Sequence, residues 1–191
     1  MSIEVHKIEM NYFKGKMHNH HLIKNSLLAA FENTPNQPIK DFSQKISSTD
    51  WMYANMHRPW LDIFYSNLES YMIEMRDALQ CKNYMIQKAW FQSYSTGDFH
   101  NWHTHPDTNW TNIYYLNMPN SSLKTEILDY NSNEILTTVE VEEGDILSIP
   151  ASLLHRSAKN TYTTQKVIIS FNSDFDGWIG EPDDLNIKEN K

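Results

Sequence analysis

The spacing of apolar residues along this chain changes near residue 84. Before that point they recur at three- and four-residue steps; beyond it they alternate or gather in short runs. Trp60, Leu61, Phe64, Tyr65, Leu68, Tyr71, Met72, Met75 and Leu79 form the longest regular stretch. That is the stripe of an amphipathic helix. Pro59 suits its first turn, where a missing N–H leaves no bond unmade. Residues 18–32 carry a shorter helical pattern, with Leu22, Leu27, Leu28 and Phe31 roughly on one side. Residues 3–13 read as an edge strand. Residues 33–49, with Pro35 and Pro38 among Ser, Thr and Asn, read as a loop.

From about residue 84 the segments YMIQKAWFQSYS, TNIYYLNM, LKTEILDY, ILTTVEVEE, DILSIPA and KVIISFN are short and rich in β-branched and aromatic residues. Turn residues separate them, so they read as strands. Two helices followed by these strands predict an α+β chain with a closed or double-sheet β core. Residues 1–83 would be a helical support within the same domain, 84–173 the β core, and 174–191 an acidic, loosely ended tail. Phe175 and Trp178 would pin the start of that tail.

At 191 residues the chain is long enough for one domain with a sizeable core. Its formal charge of −8 argues against a general grip on nucleic acid or anionic membrane, because phosphates need a positive surface. One cysteine, Cys81, excludes an internal disulfide framework and fits a reducing compartment. Nothing marks it as a nucleophile. The N-terminus lacks the apolar core of a signal peptide, and no stretch approaches 18 apolar residues. A soluble cytoplasmic protein is the expectation. Oligomeric state leaves no signature.

The chemistry concentrates in His103-Thr104-His105 and in His155. Residues i and i+2 of a strand face the same way, so His103 and His105 can aim at one point. His155 follows a turn (Glu143-Gly144-Asp145) and an apolar strand, and a return strand would deliver it to that point. Two ligands from one strand and one from another build an open, facial metal site. Imidazoles suit iron, zinc, copper or nickel, and open positions point to catalysis. The His18, His20, His21 group sits at a polar helix start and reads as surface.

The stretch YSTGDFHNWHTHPDTNWTNIYYLN resembles the core of the iron(II)/2-oxoglutarate-dependent dioxygenases, particularly their prolyl-hydroxylase-like branch. Tyr94, Gly97, His100, His103 and His105 occupy corresponding places, and Tyr114-Tyr115-Leu116-Asn117 completes the match. GDILSIPASLLHRS resembles the segment that delivers the family's distal histidine, here His155. The combined pattern over residues 84–173 is similar to small 2-oxoglutarate oxygenases found largely in bacteria and marine phages. A weaker likeness touches STDWMY near Asp50.

The resemblance implies a double-stranded β-helix (jelly-roll, cupin-like) with the N-terminal helices packed on one sheet. It implies Fe(II), 2-oxoglutarate and O2, with hydroxylation of a small-molecule or peptide substrate, a prolyl group being the nearest analogy. Lys166, about ten residues past the distal histidine, falls where the family binds the 2-oxoglutarate C5 carboxylate, with Tyr94 and Tyr115 in support. Ser170 and Asn172 share a strand face and are further candidates for the cosubstrate. Trp90, Gln92, His100 and Trp110 are candidate pocket walls. One departure stands out: the family's usual triad has a carboxylate where this chain has His105. Asp107 is the alternative third ligand, or a partner for a ligand imidazole. Three histidines also fit a cupin-like dioxygenase that uses no 2-oxoglutarate. A noncatalytic jelly-roll binding or structural protein is the reading from another class, and a zinc hydrolase with Asp107 as base is a weaker one.

Overall fold

A computed structural model describes residues 4, 6, 9–136 and 139–178. Two α-helices pack on a curled sheet: α1 (His20–Glu32) and α2 (Pro59–Ala78). The strands are β1 (Phe13–Lys16), β2 (Gln37–Lys40), β3 (Gln44–Thr49), β4 (Cys81–Tyr94), β5 (Phe99–His103), β6 (Trp110–Asn117), β7 (Thr125–Asp129), β8 (Glu134–Ile135), β9 (Asp145–Pro150), β10 (His155–Ser157) and β11 (Lys166–Trp178). They run in the order β1-β9-β6-β11-β4-β3-β5-β10-β7-β8, with β2 paired to β3. β3 joins the two leaves, pairing with β4 through Ser48 and Thr49 and with β5 through Gln44 and Lys45. The sheet thus closes into the expected jelly roll, a double-stranded β-helix with both helices on its larger leaf.

The two-residue period of the long strands decides what faces where. On β4, β6 and β11, Ala89, Phe91, Tyr114, Leu116, Val167, Ile169 and Phe171 meet the helices. Their alternates Tyr94, Ile113, Tyr115 and Ile168 point into the space between the leaves. The α2 stripe is buried as its spacing predicts, with Trp60, Phe64, Leu68 and Met72 fully covered. On α1 the buried line is Ile23, Leu27 and Phe31, at four-residue steps, and Leu22 lies on the solvent side at 66% exposure.

Several segments differ from the sequence reading. The first strand is Phe13–Lys16, paired with β9, and the described residues between 4 and 12 form no strand. Residues 37–49, read as loop, form the β2–β3 hairpin. Pro38 is tolerated because β2 is bonded on one side only. Asp41 builds the turn by accepting from the amides of Ser43 (2.7 Å) and Gln44 (3.0 Å). Among the described residues of ILTTVEVEE only Ile135, the end of β8, is strand; Val139 and Val141 still pack in the inner core, and residues 137 and 138 lie outside the described residues. β4 begins at Cys81, and β11 continues into the segment read as tail, where Phe175 is buried and Trp178 pairs with Cys81. The Trp178 side chain and the rest of the tail lie outside the described residues.

Asp50 ties helix to sheet. Its carboxylate accepts from the Trp60 indole (2.8 Å) and the Phe91 amide (2.8 Å) and pairs with Arg58 at 3.1 Å. Arg58 in turn donates to the Ala89 carbonyl. Burial pushes the Asp50 pKa up, against the pull of the Arg58 charge. Asp50→Ala would strand a buried guanidinium. The expected loss is about 3–5 kcal/mol of unfolding free energy. Urea unfolding should show it as a lower midpoint at unchanged slope. A loss under about 1 kcal/mol would mean that the pair contributes no more than a surface bridge.

Candidate metal centre

His103 ends β5 and His155 opens β10, and the two are direct cross-strand partners. His105 lies beyond the strand rather than on it, because β5 stops at His103. It remains usable as a ligand for a local reason: the residue before a proline, here Pro106, is held extended. The His105 amide also donates to the Ala151 carbonyl at 3.0 Å. Ring centroids stand 4.4 Å apart for His103 and His155, 5.3 Å for His103 and His105, and 5.2 Å for His105 and His155. One nitrogen from each ring lies within 4.8 Å of the others, a grouping that could hold a metal ion.

The free nitrogens are set by what the other ring nitrogens do. Nδ1 of His103 donates to the Asn101 carbonyl (2.7 Å) and Nδ1 of His155 to the Leu153 carbonyl (2.9 Å). Nδ1 of His105 donates to Oδ1 of Asn172 (2.8 Å), with the Thr111 hydroxyl 3.2 Å from the same nitrogen. A ring whose Nδ1 donates keeps its Nε2 lone pair for a cation. Burial lowers all three pKa values, to about 3 for His155 and about 4 for His105, and downward for His103. The neighbouring imidazoles add to the shift at His155 and His105. The rings are therefore neutral near pH 7 and have no proton to lose before binding a metal. These features fit a divalent cation.

Two cavities meet at the histidines. The outer cleft, about 310 Å³, is walled by Ile39, Gln44 and Trp51 on one side and by Trp90, Thr104 and Asn172 nearer the rings. The inner pocket, about 30 Å³, is bounded by Tyr94, Thr125, Ser157 and Ser170. Behind Ser157 lies Lys166, 1% exposed, whose ammonium donates to the Ser157 hydroxyl at 3.0 Å. The rings of Tyr94 and Tyr115 flank it at 5.5 and 5.9 Å. Burial drags the Lys166 pKa down to about 7, opposed only by Glu126. An ammonium with three donors and, among the described residues, a single hydroxyl partner is a site wanting an anion.

The residues singled out from sequence fall as follows. Trp90, Gln92 and His100 line both cavities, and Tyr94 and Ser170 line the inner one. The Tyr115 hydroxyl is engaged with Thr125, donating to its side chain at 2.9 Å and accepting from its amide at 3.1 Å. Asn172 borders the outer cleft and holds the His105 ring. Asp107 also borders that cleft, at φ +61°, outside the ligand grouping and without the imidazole contact expected of it. Trp110 lines neither of these two cavities. Its parity on β6 turns it toward the helices, where it packs on Phe13 at 5.3 Å. Thr111, Thr125, Ser157 and the β2–β3 hairpin were missed. Ser157 was within reach, since it stands two residues from His155 on the same strand face.

Asn172→Ala should free the His105 ring and weaken divalent-cation binding about tenfold, the low end for loss of an outer partner. Competition against a chromophoric chelator measures this. Unchanged affinity would mean that Thr111 alone orients the ring.

No family model matches the chain, and no curated protein matches it in sequence. Solved structures do resemble it. A Pseudomonas putida prolyl-4-hydroxylase superposes with a TM-score of 0.61 at 10% identity, over 87% of this chain and 92% of that one. The viral collagen prolyl hydroxylase of Paramecium bursaria Chlorella virus-1, solved with 2-oxoglutarate, gives 0.54 at 13% identity, over 85% and 94%. HygX from Streptomyces hygroscopicus, with nickel and 2-oxoglutarate bound, gives 0.61 at 9%, over 86% and 83%. At such identities the likeness establishes the fold, that of the 2-oxoglutarate-Fe(II) oxygenases.

Proposed function

We propose that this protein is an Fe(II)- and 2-oxoglutarate-dependent dioxygenase that hydroxylates a C–H bond of a small-molecule or peptide substrate. One observation carries the reading. Three neutral imidazoles with their Nδ1 atoms engaged converge on one point, and a buried lysine with no salt bridge among the described residues stands behind the adjoining pocket. In this fold, those are the requirements of a metal and of a dicarboxylate cosubstrate. Fe(II) with 2-oxoglutarate and O2 supplies the oxidising power, releasing succinate and CO2.

The chain's own residues do the rest. His103, His105 and His155 would hold the metal, and both cavities are lined by His103 and His105. Being neutral, they leave the full metal charge to attract an anion. Lys166 takes the distal carboxylate in exchange for its bond to Ser157, while the Tyr94 ring packs beside the ammonium. Ser157 lines the inner pocket and Lys166 donates to it, so the ammonium stands one hydroxyl away from that pocket. Trp51, Trp90 and Ile39 give the outer cleft the apolar walls that exclude water and orient a substrate. A prolyl peptide is the first substrate class to assay, since two of the structural neighbours are prolyl hydroxylases. Among the described residues no helix is long and apolar enough to cross a membrane.

The test is an anaerobic titration of the apoprotein with Fe(II) and then 2-oxoglutarate. Chelation of the keto acid to iron gives a visible charge-transfer band. The three-histidine donor set also fits a dioxygenase that uses no 2-oxoglutarate, and that alternative predicts iron binding with no band.

A further inference from the structure

The outer cleft carries two opposite charges that no other group among the described residues engages. Lys88 on β4 pairs with Asn172 of β11, and the next pair along is Ile86 with Ser173, so Gln87 is an extra residue in the strand. Such a bulge re-aims side chains, and here Gln87 and Lys88 both line the cleft beside Trp90. Gln87 is engaged with Asp174, whereas Lys88 has no ion-pair or hydrogen-bond partner among the described residues. Asp107 lines the same cleft and is likewise without a partner among them. Its position is fixed all the same. The Thr108 hydroxyl donates to the Ser173 carbonyl at 3.0 Å and the Asn109 amide to Asp174 at 2.7 Å, so β11 pins the two residues that follow. Asp107 itself stands at φ +61°, a conformation that aspartate tolerates better than most side chains. The fold thus holds a cation and an anion on the walls of one cleft without letting them pair with each other.

We propose that the substrate is a free amino acid with an apolar side chain, its carboxylate at Lys88, its ammonium at Asp107 and its side chain against Trp51, Trp90 and Ile39. The proposal rests on the dioxygenase reading above and narrows its substrate class. Size, walls and charge agree. A cleft of about 310 Å³ is at the lower end for ligand sites and suits a single residue better than a length of chain. Its apolar walls include Trp51, still 51% exposed, whose ring a substrate side chain would cover. A zwitterion satisfies both charges at once. A simple anion would leave Asp107 facing it, and a simple cation would leave Lys88. The interior of a peptide offers neither charge, so seating it here would desolvate Lys88 and Asp107 without compensation.

Anaerobic calorimetry on the protein loaded with Fe(II) and 2-oxoglutarate tests this. The probes are L-leucine, L-isoleucine, L-proline and L-phenylalanine, then the N-acetyl and amide forms of whichever binds tightest. At least one free amino acid should bind, and blocking either end should weaken it about fivefold, the upper end for an exposed ion pair. The two ends should separate by variant. In Lys88→Met the amide should bind as well as the free acid, while blocking the amine still weakens binding about fivefold. In Asp107→Asn the pattern reverses. A merely structural role would weaken every form alike. Fe(II) affinity and the charge-transfer band of 2-oxoglutarate should be unchanged in both variants. Binding of none of the four, equal binding of the doubly blocked N-acetyl amide or of a prolyl peptide, or variant losses that ignore which end is blocked overturns the proposal. So does a fall in Fe(II) affinity in Asp107→Asn, which would make that carboxylate a metal ligand. Iron binding with no band in the unaltered protein instead overturns the cosubstrate reading beneath it.

Discussion

His155→Ala is expected to lower Fe(II) affinity by more than the roughly 10–100-fold that loss of an outer-shell partner costs. His155 is the best placed of the three proposed ligands: first residue of β10, 4% exposed, bonded to Leu153 and cross-strand from His103. Removing it leaves two imidazoles, too few for a facial site. His105→Ala should have a comparable effect and Asp107→Ala very little. The reason is geometric: the His105 nitrogen stands in the 4.8 Å grouping, whereas Asp107 borders the outer cleft. Near-normal iron binding by the His105 variant would move the third ligand to Asp107 and sink the three-histidine assignment. The pH dependence should be unusual as well. Free histidine titrates near 6.5, so an exposed histidine site starts losing metal just below neutrality. Here burial lowers the folded pKa values to about 4 and about 3 for His105 and His155. Protons then compete with the metal at His105 and His155 only when the pH falls toward those values, and at His103 only below its ordinary range. Equal iron content in the unaltered protein and the His155 variant would favour a jelly roll whose histidines serve no metal.

Much of this arrangement was legible in the sequence, because period-two strands and an i, i+2 histidine pair are local signals. Lys166, Ser170 and Asn172 share one face of β11 by parity alone, and the α2 stripe announced a helix covering a sheet. What could not be read were matters of partnership. Pro38 masked the β2–β3 hairpin, since a proline is compatible with an edge strand but nothing local says where the edge is. Trp110 was assigned to the pocket because it neighbours the site in sequence, yet one step along β6 exchanges cavity for helix face. Asn172, a candidate for the cosubstrate, also holds the His105 ring, a contact spanning 67 residues that no spacing rule reaches. The His103–His155 pairing depends on the register between β5 and β10, which only the closed sheet fixes.

Lys166→Met is expected to weaken 2-oxoglutarate binding by about two orders of magnitude while raising the stability of the apoprotein. Losing the ammonium removes a charge-assisted anchor, and such buried pairs cost about 2–5 kcal/mol or more when truncated. The stability gain follows from the unliganded state. There the ammonium is buried with one hydroxyl partner, and replacing an uncompensated buried charge by an apolar chain of similar length is stabilising. The pKa gives the sign and the window. Lys166 titrates at about 7 when folded against 10.5 ordinarily, so between those values the unfolded chain holds the extra proton. Stability therefore falls as pH drops from about 10 to about 7, and the full penalty persists below that. The advantage of the methionine variant should be largest at and below neutral pH and vanish toward pH 10. Cosubstrate binding should run the other way in the unaltered protein, weakening above pH 7, where anchoring the carboxylate requires uptake of a proton. Thermal unfolding at several pH values and the charge-transfer titration measure the two halves separately. A variant that loses stability and cosubstrate together would make Lys166 a structural lysine whose charge the fold already satisfies.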